Sequence, residues 1–574
     1  MRKLLIVLFA ALSVHAHAQK FETLFEKSGG TQTPAYHDII DFYQQLDKAS
    51  NKILLKAMGA SDAGFPLHLL LFSNDGKFDP ATWHRQKKTV ILVNNGIHPG
   101  EPDGIDASML LLRDLAAGVK KIPDNIALAV IPVYNIGGCL NRSEYYRVDQ
   151  EGPEAFGFRG NSQNLDLNRD FIKSDSKEAR SFAQIFHFVD PDIFIDNHVS
   201  DGADYQHVIT LISSQHNKLG GAMGEYLNKQ MEPALYTQMK ERGYDLVPYV
   251  NFFGETPDNG WPEFFDGPRY SSGYATLWHT FGFTVETHML KPYDQRVKST
   301  YALMECFAQF ASKNAAAIQS LRSQAVAGSL TQPEFPVAWE LDRSQSAEIT
   351  FKGYAAGRKP SAVSGLPRLY YDRSKPYEKK VKFYNYYKPS VLVQKPVAYV
   401  IPQGWWKVID LLKINGVVVR QLSKDTVIEV HVTRIQEYKA APRQFEMHHL
   451  NSDVRTESAP QKMTFRKGDY YIRLNQPANR FLMEVLEPRG PDSYFAWNFF
   501  DAILQQKEGY SNYMFEDKAA AYLQAHPDVK ARLEQKRASD TTFSKSARAQ
   551  LDFVFENTPY IEPDYLRYPV YRVE

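Results

Sequence analysis

His98 and Glu101 stand three residues apart in Asn94-Asn95-Gly96-Ile97-His98-Pro99-Gly100-Glu101, directly after the apolar run at 89–93. The run reads as a buried strand, and Gly and Pro then force a turn. Imidazole and carboxylate together on a strand-end turn suit a borderline cation such as zinc. Of the 16 His, only His98 is followed three residues later by Glu. Alone, such a pair is common enough to be an ordinary turn with a surface acid. A catalytic zinc takes three protein ligands and keeps one position for water, so a third ligand and a base must be sought.

The third-ligand candidate is His198, which follows the apolar run Ile193-Phe194-Ile195 and the polar pair Asp196-Asn197. A buried strand that ends in Asp-Asn-His places polar groups at a sheet edge, where sites form. Glu286 ends the apolar run 281–285 in the same way. A carboxylate there is costly unless paired or functional, which makes Glu286 the natural general base. The dense polar run 161–170 carries Asn168 and Arg169, with Arg159 just before it. A guanidinium fork there could clamp a carboxylate.

These residues need a sheet to hold them. Apolar runs at 67–72, 89–93, 126–133, 192–196, 208–212 and 281–285 read as buried strands. Helical spacing covers 36–57, 105–116, 217–242 and 296–321. Strands alternating with helices imply an α/β fold, a mixed, largely parallel sheet flanked by helices. The stretch 324–336, rich in Ala, Gly, Ser, Gln and Pro, reads as a linker. Beyond it, short strands between turns, including 417–419 and 480–485, imply a β-sandwich-like domain. Helices return from 497, near 497–506, 516–524 and 529–536. The expected organisation is a signal peptide at 1–18, a catalytic domain at 19–325, a β-rich accessory domain at 337–490 and a helical C-terminal segment at 491–574.

Composition sets limits. The chain has 574 residues, 43% of them hydrophobic, enough for two or three packed domains. A net charge of +1 gives no nucleic-acid footprint. Met1-Arg2-Lys3, an apolar run at 4–14 and Ala16-His17-Ala18 form a secretory signal. No later run is long enough to span a bilayer. The expected product is therefore exported, periplasmic or secreted, with no membrane insertion. Cys139 and Cys306 permit one disulfide, but their spacing does not argue for it.

Taken in order, His98-x-x-Glu101, Asn168-Arg169 within Asp-Leu-Asn-Arg, His198 and Glu286 resemble the zinc carboxypeptidase family of the carboxypeptidase A type. The resemblance covers about 36–321. It implies one zinc ion on His98, Glu101 and His198, with Glu286 as the base that activates water and then protonates the leaving amine. It implies that Asn168 and Arg169 hold the free C-terminal carboxylate of a peptide substrate. Arg159 takes the part of the oxyanion Arg, with Arg142 and Arg147 as weaker candidates. The family's substrate-facing Tyr has no unambiguous match; Tyr270 and Tyr274 are both possible, with Tyr274 the better core residue. Residues 249–273 form a candidate substrate-covering loop. His288 could orient the site or satisfy the backbone. The departure at the Tyr leaves open an amidase, a peptidoglycan-peptide hydrolase or a deacylase using the same zinc, and a non-catalytic peptide- or glycan-binding homologue. Trp405, Trp406 and the Tyr clusters beyond 336 read as packing before ligand binding.

Overall fold

The computed structural model describes residues 21–252 and 254–574, and the expected signal peptide lies outside them. Eight strands form the central sheet: β1 (Ile53–Ala60), β2 (Pro66–Phe72), β3 (Thr89–Asn94), β4 (Ile126–Ile131), β5 (Ile193–Ser200), β6 (Ile209–Ser213), β7 (Val247–Pro248) and β8 (Phe281–His288). Their order across the sheet is β1-β2-β4-β3-β5-β8-β6-β7. The middle four, β4, β3, β5 and β8, run parallel. Antiparallel pairs flank them on both sides. This is the mixed, largely parallel α/β sheet that the alternation implied.

Strands β3, β4 and β5 are buried throughout, as strands covered on both faces must be. The helices Asp103–Ala116 and Tyr293–Lys313 pack on each other and on the sheet, and Lys177–Val189 packs on β1, β2 and β3. The first of these starts very close to the sheet. A Cβ on Gly104 would come within 2.3 Å of Asn197 Cβ and 2.5 Å of Asn95 Oδ1.

The expected strand at 417–419 is irregular, with only Arg420–Gln421 pairing after it, and four further local expectations fail for identifiable reasons. The first helix stops at Ala49, and the chain restarts as edge strand β1, whose ladder comes only from β2. The expected linker is helical through Thr331, because its Ala-rich composition favours helix more than coil. Residues 480–485 belong to the helix Asn479–Leu486, every residue of which is buried; a short apolar run carries no period that separates strand from buried helix. The span 497–506 contains only the short 3₁₀ turn Asp501–Leu504. Cys139 and Cys306 are both free and buried.

Beyond Pro336 the chain is β-rich. Glu334–Leu341 pairs with Tyr387–Gln394. Trp261–Pro262, Pro367–Tyr384 and Ala347–Pro360 form a three-stranded sheet, so the loop at 249–273 is stitched to a later hairpin. A six-stranded sheet includes the long hairpin Thr426–Ala440 and Asn451–Phe465, and takes Tyr571–Val573 from the tail. One apolar core runs from Phe21 and Leu92 through Ile472 and Phe481 to Val570. A separate cluster around Phe515, Leu533 and Phe555 holds the C-terminal helices together. Among the described residues no helix is long and apolar enough to cross a membrane.

Candidate active site

The strands carry their polar residues further than their apolar runs suggest. β5 continues to Ser200 and β8 to His288, and Glu286 lies directly opposite His198 across the parallel pair. Asp196 and His198, two residues apart, share a face of β5. Gly96, at φ +64°, lets the chain leave β3 and turn His98 back over the strand ends. His98, Glu101 and His198 are all buried, and their candidate ligand atoms lie within 4.8 Å of one another.

Each imidazole is held by a carboxylate. His98 Nε2 lies 2.9 Å from Asp166 Oδ1, and His198 Nε2 lies 2.9 Å from Asp196 Oδ2. Asn94 Nδ2 donates to the other oxygen of Asp196. Both Nδ1 atoms therefore turn toward Glu101. His198 Nδ1 is 3.2 Å from Glu101 Oε2. His98 Nδ1 is 3.3 Å away and makes no hydrogen bond, although it is buried. Two fixed imidazoles, one orphaned nitrogen and one carboxylate make a donor set that fits zinc, with the supporting carboxylates such sites use.

Glu101 Oε1 accepts from Arg147 Nη1 at 2.8 Å and lies 3.5 Å from Arg159 Nη1. Arg147 is thus the nearer of the two to the metal ligands. Arg159 also donates to Asp166 Oδ2 at 3.0 Å, and its side chain is 46% exposed, free to meet a ligand. Arg142 points away, donating to the carbonyls of Thr33, Pro34 and Ala155. Asn168 Oδ1 is buried without a partner. Arg169 donates to the Asn168 carbonyl, and its guanidinium lies 4.5 Å from the centre of the Tyr270 ring. Tyr274 is a core residue bonded to Asn415, and His288 is bonded to the Ala203 carbonyl.

Glu286 is half-buried on the same strand ends. Burial first, and the nearby Glu101 charge, push its carboxyl up to about 8 against the pull of His198, Arg159 and Arg147. Asp166 is held well below the usual range, because His98 and Arg159 outweigh its burial.

Four participants escaped the sequence reading. Asp166 and Asp196 brace the two His, and only strand alternation hinted at Asp196. Tyr249, just after β7, lies within the field of Glu286; burial, then that carboxylate, raises its hydroxyl pKa. Glu446 comes from the tip of the 426–465 hairpin and accepts from the Asp166 backbone N–H at 2.8 Å. Glu446 and Met447 both have positive φ, 49° and 70°. His448 anchors the same tip on Asp175 at 2.9 Å. No sequence period reports a contact across that separation.

Residues 39–211 match the zinc carboxypeptidase family model. That match covers under a third of the chain, and the similarity to curated carboxypeptidases beyond it is divergent. It is 27% identical over 178 residues to a probable carboxypeptidase 2 of Trichophyton verrucosum, a match covering 30% of this chain and 31% of that relative's length. It is 20% identical over 489 residues to carboxypeptidase 2 of Trichophyton rubrum, covering 81% of this chain and 84% of that one. Among solved structures, carboxypeptidase A from Helicoverpa armigera superposes with a TM-score of 0.39 at 15% identity, covering 50% of this chain and 75% of that one. A metallo-carboxypeptidase from Burkholderia cenocepacia gives 0.36 at 16%, covering 48% and 68%.

Proposed function

We propose that the protein is an exported, single-zinc metallocarboxypeptidase that removes residues from the free C-terminus of peptides. The observation that carries this reading is the convergence of His98, Glu101 and His198 in a chain with a zinc carboxypeptidase domain. His98, Glu101 and His198 hold the ion, which supplies Lewis acidity and lowers the pKa of water to about 7. Glu286 takes the proton of the attacking water and hands it to the leaving nitrogen. Arg159 stabilises the oxyanion. Arg169 and Asn168 hold the terminal carboxylate, which fixes the bond presented to the site. Tyr270, stacked on Arg169, lines that clamp. The catalytic part is residues 19–325, with 337–490 as accessory and 491–574 as a C-terminal segment.

The test is a mass-spectrometric digest of a peptide mixture supplied with free and with amidated C-termini, beside a chelator-treated control. The expected outcome is loss of single residues from free C-termini only, abolished by the chelator. Cleavage of both forms would make the enzyme an amidase or endo-acting hydrolase. No cleavage of either would move the substrate to cell-wall peptides or acylated amino acids, or the protein to a binding role.

A further inference from the structure

A second cleft opens at the other end of β8. His279 sits in the turn before β8, whose first residue Phe281 lies five residues before Glu286 (286 − 281 = 5), roughly 17 Å of strand at about 3.3 Å per residue. The cleft holds about 400 Å³ and is lined by segments from both the α/β and the β-rich parts of the chain. This volume falls within the range of small-molecule sites.

Its polar wall has an unmet demand. Arg480 is 9% exposed, yet no carboxylate lies within 4.0 Å of its guanidinium among the described residues. Its nearest acid, Glu484 on the same helix, faces Lys218 Nζ at 3.3 Å. Arg480 is left with two long contacts, to the carbonyls of Leu219 at 3.3 Å and Thr276 at 3.4 Å. Beside it, His279 is 5% exposed and neither ring nitrogen has a partner. Trp339, across the cleft, has a buried indole N–H that is also unpartnered. Burying an unpaired guanidinium costs several kcal/mol, and an orphaned donor adds to that cost.

The remaining walls are apolar. Met223 and Phe335 are buried there, with Leu321 alongside. We propose that this cleft is a binding site for a small organic carboxylate with an apolar body. The carboxylate pairs with the Arg480 fork, and the body lies against Met223 and Phe335. An inorganic anion would satisfy the charge but leave the apolar wall wet. The site is separate from the candidate active site and does not depend on its chemistry.

The test uses the mature protein with ¹³C-methyl methionine and follows the Met223 resonance, assigned by a Met223→Leu variant. Phenylacetate, 2-phenylethanol and inorganic phosphate are titrated in turn. The expected result is a saturable Met223 shift with phenylacetate, with 2-phenylethanol and phosphate each weaker by about tenfold or more, the scale of one charge-assisted hydrogen bond or of the apolar contact. Arg480→Met should abolish the phenylacetate shift while leaving the melting curve cooperative. No Met223 shift with phenylacetate, or equal affinity for 2-phenylethanol, would overturn the proposal even if R480M failed to fold. Equal affinity for phosphate would overturn the apolar-body part and leave a plain anion site. Because Met223 is remote from the zinc ligands, binding at Arg169 does not move it.

Discussion

At the scale of single residues, the candidate site rests on carboxylates in three different roles. Glu286 is the proposed base, so Glu286→Gln should lower kcat by about 10²–10⁴-fold with the bound metal unchanged, as turnover assays and metal analysis would check. Asp166 acts through His98 and Arg159. Asp166→Asn should therefore weaken metal affinity by about 10–100-fold, read by competition with a chromophoric chelator. Asp106 is structural. Burial pushes its carboxyl up to about 7, although Thr33 and Tyr293 donate to it. The folded protein then keeps a proton that the unfolded chain releases near pH 4. Stability contributed by this group falls as pH rises from about 4 to 7, by up to about 1.4 kcal/mol per pH unit. Asp106→Asn should flatten the dependence of Tm on pH across that window.

At the scale of elements, the site depends on where strands end and where helices begin. The helix Asp103–Ala116 starts against β5 at Gly104, with no room for a Cβ. Gly104→Ala should cost about 1–3 kcal/mol by overpacking, seen as a lower melting temperature, and should disturb the neighbouring Glu101. The buried strands were legible because parallel central strands read as unbroken apolar runs. His98, Glu101, His198 and Glu286 were legible because they fall where those runs turn polar. Edge strand β1 was not, since its pairing lies across the sheet. Asp166 was visible only as part of a motif, and its hold on His98 appears only in three dimensions. Glu446 was invisible, as a hairpin tip is placed by the whole fold and not by its own sequence. Its turn keeps two left-handed non-glycine residues, a strain on the order of 1–3 kcal/mol each that packing must hold in place. Glu446→Ala should raise the metal dissociation constant, by less than Asp166→Asn does.

At the scale of the whole molecule, the α/β and β-rich parts share one apolar core, whereas the helices from Asn512 to Glu556 close on their own cluster. Calorimetry should show one main transition for the shared core. Hydrogen exchange should release the amides of the 512–556 helices earlier, as locally opening units do. The contact between Glu446 and the Asp166 backbone spans 280 residues. A ribosome adding about 5–20 residues per second needs roughly 15–55 s to cover that distance. For most of that interval, from His198 onward, the emerging chain holds His98, Glu101 and His198 but not the carboxylate that braces the loop behind them. Synthesis itself thus delays the completed site until the accessory hairpin has been made.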